Sequence, residues 1–177
     1  MHRILHADAV NAIAAFCYDH AVPVSRRDAK PHGLNDEVLA AWRSFLTAHA
    51  LITRRISQEL TAHGLPELGS YDVLWALYRQ PQRRLRINEL AREVVLSPTG
   101  MSRFVDRLEK AGVVRRENVP GDRRAFHVVI TEEGIALLRR MWPIYAAGIE
   151  RYFGPGVEYD AGTMRAAFER MAAAARD

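Results

Sequence analysis

Residues 89–134 read ELAREVVLSPTGMSRFVDRLEKAGVVRRENVPGDRRAFHVVITEEG, and several local patterns follow one another within them. Asn88 is a good N-cap for a short helix over Glu89–Val94. The chain turns through Val95-Leu96, and Ser97-Pro98 supplies a cap followed by proline at the first helical position. A helix from Pro98 to Ala111 turns Met101, Phe104, Val105 and Leu108 to one side, and Gly112 stops it. Val113–Glu117 and Phe126–Ile130 read as two strands joined by Asn118–Asp122, a hairpin with turn chemistry and a basic tip. Thr131 ends the second strand and caps a new helix, with Glu132 and Glu133 in its first turn. Upstream, Ser70–Arg79 is a helix carrying Val73, Leu74 and Leu77, and Leu85–Ile87 a short strand.

Helix, strand, helix, turn, helix and hairpin is the order of a winged helix-turn-helix. A helix about 10–12 Å across fits the major groove of B-DNA. The helix before it braces it against the backbone, and an exposed hairpin reaches along the duplex. The Ser-Pro-Thr-Gly-Met-Ser-Arg start of the second helix (97–103) brings small polar groups where base edges and phosphates would lie. Charge points the same way. The chain has a net charge of +4, but between Arg79 and His127 twelve basic side chains face six acidic ones. A basic excess confined to one segment suits a nucleic-acid surface, although a solvated face gives the same count.

On the N-terminal side, a helix beginning at Asp36 carries Val38, Trp42, Phe45, His49, Ile52, Ile56 and Leu60 at spacings of three and four, and ends near Gly64-Leu65-Pro66. One long stripe of this kind suits packing against another helix. After Thr131 the stripe is Leu137, Leu138, Trp142, Tyr145 and Ile149, with Pro143 expected to kink or interrupt it and Gly154-Pro155-Gly156 to close it. A last helix over Asp160–Arg176 carries Met164, Phe168 and Met171. Residues 1–20 read as an amphipathic helix with Leu5, Ala9, Ile13, Phe16 and Cys17 on one side, and 21–35 as a linker. The expected fold class is therefore mainly α with a small β-wing. The expected division is 1–35 helical extension and linker, 36–68 dimerisation helix, 69–130 winged helix-turn-helix DNA-binding domain, and 131–177 C-terminal dimerisation helices.

Residues 89–134 resemble the MarR family of transcription regulators. The carriers are Ser102-Arg103-Phe104-Val105-Asp106-Arg107-Leu108-Glu109-x-x-Gly112, the wing Asp122-Arg123-Arg124-Ala125, and Ile130-Thr131-x-x-Gly134. The resemblance implies a homodimer built from the long helices, bound to a double-stranded DNA operator. It makes Pro98, Thr99, Ser102 and Arg103 major-groove residues and places Arg107 nearer the phosphates. It has Asp122 orient Arg124 toward the minor groove, with Arg123 beside it on the wing; a narrow minor groove attracts arginine. It further implies a small aromatic or phenolic effector that relieves repression. Trp42, His49, Tyr71, Asp72, Trp75, Arg115 and Trp142 are the candidate pocket residues, with arginines to meet a carboxylate or phenolate. Aromatics at helical spacing are more often plain core. The N-terminal extension resembles that of the family's urate-responsive subset, where Asp72, Arg103 and Arg115 match charged positions. The subset's tryptophan in the extra helix is missing here.

Other function classes find little support. With 177 residues, 49% hydrophobic and 26% charged, the chain has the composition of a folded domain. No apolar run approaches the ~20 residues of a membrane span, and the N-terminus lacks a cleavage motif, so a cytoplasmic protein is expected. The single Cys17 allows no intrachain disulfide and reads as a small hydrophobe or as a thiol sensor. His2 and His6 share a helix face but no third metal ligand accompanies them. With no nucleophile–base pair, phosphate loop or H-E-x-x-H, neither an enzyme nor a cofactor is expected. The alternative is a winged-helix dimerisation or protein-interaction module without DNA binding, against which the arginine-bearing wing argues.

Overall fold

The computed structural model describes residues 35–94, 98–119, 121–158 and 160–176. In chain order these form α1 (Asp36–Ala62), α2 (Leu68–Tyr78), β1 (Arg84–Arg86), α3 (Ile87–Glu93), α4 (Pro98–Lys110), β2 (Val114–Val119), β3 (Asp122–Ile130), α5 (Glu132–Tyr152), the short α6 (Gly154–Val157) and α7 (Ala161–Ala174). The expected helix over 1–20, the linker after it, Cys17, the His2/His6 pair and the Ser97 cap lie outside the described residues.

The chain divides into two compact units, one of them Ile56–Gly154. Here the three strands lie antiparallel in the order β1-β3-β2, with Leu85 opposite Val128 and Arg116 opposite Val128 from the other side. The helices bury Leu74, Leu77, Leu90, Met101, Val105 and Met141 with Val114 and Val128 of the sheet. The last turns of α1 add Ile56 and Leu60, both buried. Gly148 is what lets α5 approach them. A Cβ there would lie 2.7 Å from Cγ1 of Ile56, a distance that forces one of the helices to move.

Among the described residues, the other unit holds 35–55, 155–158 and 160–176. Phe45 of α1 meets Phe168 of α7 with ring centroids 5.9 Å apart, and Trp42 stacks on Phe45 at 5.8 Å. Asp160 caps α7 by accepting a hydrogen bond from the Thr163 amide at 2.8 Å. The α1 stripe read from the sequence therefore behaves differently along its length. Ile56 and Leu60 are core, whereas Val38 and Trp42 are each 54% exposed.

Three local expectations need correction. Asn88 is not the cap of α3: the helix starts at Ile87, and the Glu89 carboxylate accepts from the Arg86 amide at 2.8 Å. That places the acidic group at the helix start, where the dipole favours it. The hairpin is longer than the alternation suggested. Pairing continues to Val119 and Asp122, with a register shift at Asn118/Val119 and Gly121 at φ +83° making the turn. Of the kink or interruption expected at Pro143, interruption is ruled out: α5 runs from Glu132 to Tyr152 with the proline inside it. Proline removes the hydrogen bond to the carbonyl four residues back. Both Pro143 and Arg139 lie on the exposed side of the helix.

Candidate functional site

The amphipathic pattern of α4 sets its orientation. Met101, Phe104, Val105 and Leu108 are buried. Thr99, Arg103, Asp106, Arg107 and Lys110 stand exposed on the other side, with Ser102 half-buried at the boundary. Two devices fix the helix. Gly112, at φ +73°, ends it and lets the Val113 amide return to the Leu108 carbonyl at 3.1 Å. Thr131 then ties three segments together: its hydroxyl donates to the Gly112 carbonyl at 2.8 Å and accepts from the Gly134 amide at 3.1 Å. A side chain at Gly134 would collide with the Val113 carbonyl oxygen, so Thr-x-x-Gly follows from close packing at the foot of the wing.

The second device is Arg116 on β2. Its guanidinium binds Asp106 at 2.6 Å and also pairs with Glu109, whose carboxylate accepts from the Arg116 amide at 2.8 Å. Both carboxylates of α4 are thereby neutralised from the wing side. Arg107 makes different contacts from those its neighbours in sequence suggest: it lies 3.3 Å from Glu67 and 4.7 Å over the Phe104 ring. Arg103 is engaged by no hydrogen bond, ion pair or ring contact among the described residues. The backbone of β3 places Asp122, Arg123 and Arg124 where the hairpin leaves its turn; their side chains, like that of Pro98, lie outside the described set. The face thus presents a solvated arginine on a helix whose acidic groups are already paired.

A cleft of about 520 Å3 opens between α2 and α5 of the same unit. Tyr71, Asp72, Trp75 and Tyr78 line it from α2, and Ile135, Leu138, Arg139, Trp142, Tyr145 and Ile149 from α5. The Tyr71 ring lies within 16° of parallel to Trp75 and 23° to Trp142, while Tyr145 meets it edge-on at 4.6 Å. Asp72 is exposed at the rim of the cleft, and partial desolvation there pushes its carboxyl up to about 6. Burial first, and then the Asp72 charge, raise the Tyr145 hydroxyl as well.

The structure thus brings Tyr71, Asp72, Trp75 and Trp142 together. Trp42 and His49 belong to the first half of α1 and do not line this cleft. Arg115 does not line it either, because its strand turns it to Glu117. Tyr145, Arg139 and Ile149 were missed as cleft residues, although Leu138, Trp142, Tyr145 and Ile149 recur at four, three and four along one face of α5. Among the described residues no group of three or more histidine, cysteine and acidic side chains is placed to hold a metal ion. No helix there is long and apolar enough to cross a membrane.

The profile of the MarR family matches residues 63–125. The chain is similar to the HTH-type transcriptional regulator PrsX of Escherichia coli, at 30% identity over 96 residues. That stretch is 54% of this chain and 57% of PrsX, so the chain spans little more than half of that relative. It is also similar to the HTH-type transcriptional regulator MhqR of Bacillus subtilis, at 30% identity over 103 residues, 58% of this chain and 69% of MhqR. Among solved structures, Sco3205 of Streptomyces coelicolor, a MarR family transcriptional regulator in complex with DNA, has a TM-score of 0.71 at 31% identity. That likeness covers 84% of this chain and 91% of Sco3205.

Proposed function

The chain belongs to the MarR family, and from that premise we propose that it is a sequence-specific DNA-binding transcription regulator. It acts as a homodimeric repressor on a pseudo-palindromic operator and is released by a small aromatic ligand. The observation that carries the DNA reading is the outer face of α4, where Arg103 has no partner among the described residues while Arg116 neutralises Asp106 and Glu109. Arginine reads guanine bidentately in the major groove; the exposed Thr99 sits one turn back on the same helix, and the half-buried Ser102 immediately precedes the arginine. Arg107 serves the phosphates, and Arg123 and Arg124, the latter oriented by Asp122, serve the minor groove. Sco3205, bound to DNA, supports the same use of the fold.

The dimer reading rests on apolar surface. Val38, Trp42 and Leu51 of α1 are each about half exposed, and α1 is too long a stripe to be left in water. Residues 36–68 and 131–177 then supply the dimerisation helices around the winged domain 69–130. Ile56 is no test of this, since it is core to its own unit. Trp42→Asp is the better variant, and sedimentation is expected to show it as a folded monomer.

The ligand reading rests on the aromatic cleft. Two recognition helices must hold half-sites about 34–36 Å apart, and a ligand seated between α2 and α5 favours a spacing the operator does not accept. A coupling of about 1–3 kcal/mol is enough, and it is reciprocal. The test is a gel shift on the inverted repeat upstream of the gene, with wild type and Arg124→Ala, and with a panel of aromatic compounds added. Weaker binding by the variant and release by a cleft binder are expected. Unchanged operator affinity in Arg124→Ala removes the wing from the mechanism.

A further inference from the structure

The arginines expected to meet an acidic ligand are not where that ligand would sit. Arg115 pairs with Glu117, Arg103 lies on the outer face of α4, and neither lines the cleft. What the cleft does hold is a carboxylate. Asp72 makes no hydrogen bond or ion pair among the described residues, and it stands beside Tyr71 and Trp75 of its own helix and Tyr145 of α5. Arg139 is the one cation among the lining residues, and it is solvent-exposed and makes no ion pair with Asp72.

We propose that the ligand of this cleft is a flat aromatic organic cation, seated on the exposed Trp75 and Trp142 rings with its charge toward Asp72. This deepens the ligand reading above and rests on it. Three features point to the same chemistry. Trp75 and Trp142 both lie near-parallel to the buried Tyr71 ring, at 16° and 23°, which gives the two exposed indoles related orientations for a planar molecule. The faces of such rings carry negative potential and attract cations more than anions. Trp75 and Trp142 are 45% and 52% exposed, so these faces are open to a ligand.

The third feature is the electrostatics around Asp72. Burial alone raises its carboxyl, with no amide or guanidinium offsetting it. An organic cation would supply the missing compensation, and an anion would add a like charge. Tyr71 and Tyr145 do not change this balance, because burial raises both hydroxyls and they stay neutral at physiological pH.

The test uses the full chain and three two-ring probes of similar shape: N-methylquinolinium, 1-methylnaphthalene and 2-naphthoate. Affinities are read by calorimetry and by quenching of tryptophan fluorescence. The cation is expected to bind about tenfold or more tighter than either of the others, a preference equivalent to about 1.4 kcal/mol. Asp72→Asn, which keeps the shape, should remove that preference and leave 1-methylnaphthalene unchanged. Acidification from pH 7.5 to pH 5 should weaken the cation in wild type, as Asp72 takes up its proton near 6, and not in the variant. Trp142→Ala should weaken the cation and 1-methylnaphthalene together. Tighter binding of 2-naphthoate, or a cation affinity indifferent to Asp72→Asn, overturns the charge assignment and leaves the cleft a ligand site. Failure of all three probes to bind also overturns it, while release of the operator by another aromatic compound would still sustain the ligand reading.

Discussion

The outer face of α4 and the cleft between α2 and α5 belong to one folded unit and, among the described residues, leave opposite charges without an ion pair. On α4 the carboxylates are taken: Arg116 reaches from β2 to Asp106 and Glu109, and Arg103 is left in solvent. In the cleft no cation among the described residues pairs with the carboxylate, and Asp72 stands beside aromatic rings. The two unpaired charges also differ in surroundings. Arg103 projects into solvent, whereas Asp72, though exposed at the rim, is desolvated enough by the cleft for its carboxyl to rise. One face is thus prepared for a polyanion, and the other gains most from a small cation.

The strongest way to break this contrast is to release the carboxylates of α4. Arg116→Met leaves Asp106 and Glu109 facing the phosphates, and like charges in an interface cost several kcal/mol, so operator affinity should fall about 100-fold or more. Adding Asp106→Asn and Glu109→Gln should restore most of it. Failure of that rescue in a folded protein would mean that Arg116 acts by packing on Phe126, over which it lies at 4.8 Å. Next in size is Arg103→Ala. Loss of one bidentate base contact is worth about 1–3 kcal/mol, and the variant should lose preference at one base pair per half-site while binding other sequences nearly as before. Uniform weakening on all sequences would reassign Arg103 to the phosphates.

The smallest effect concerns the cleft without ligand. The Asp72 carboxyl stands at about 6 in the fold against an ordinary value of 3.8. Between these values the folded chain holds the proton more tightly, so the destabilisation is absent below the ordinary value and complete above the raised one. Asp72→Asn should therefore raise the melting temperature slightly at pH 7.5, with the difference fading as pH falls from 6 toward 4. An equal difference at both ends of that range would show that the carboxylate's charge is not its source.

Much of the winged unit was legible because burial imposes periodicity. Met101, Phe104, Val105 and Leu108 follow the helical repeat and are all buried, as are Val73, Leu74 and Leu77. Thr131 caps α5 as its residue type suggested. What escaped depends on partners distant in the chain. Arg107 with Glu67, forty residues apart, and Arg116 with Asp106 and Glu109 across the helix–strand turn leave no periodic trace. Asn88 misled because a cap was sought in the residue preceding the helix, while Glu89 reaches back from inside it. The cleft was half legible. Tyr71, Asp72 and Trp75 came from a family resemblance, but their union with Tyr145 depends on how α2 and α5 pack. The same packing leaves Trp42, His49 and Arg115 out of the cleft's lining.

The central claim is that α4 and the wing form a DNA-binding surface, and the salt dependence of operator binding tests it most directly. A labelled duplex carrying the upstream inverted repeat is titrated with the full chain at a series of salt concentrations, and anisotropy gives the affinity. Log affinity should fall linearly with log salt, by about 10³–10⁵ between 50 and 200 mM if six to ten phosphates are neutralised per dimer. Arg124→Ala should give a shallower slope. No binding to the duplex at low salt, or binding indifferent to salt and to Arg124→Ala, would contradict the account.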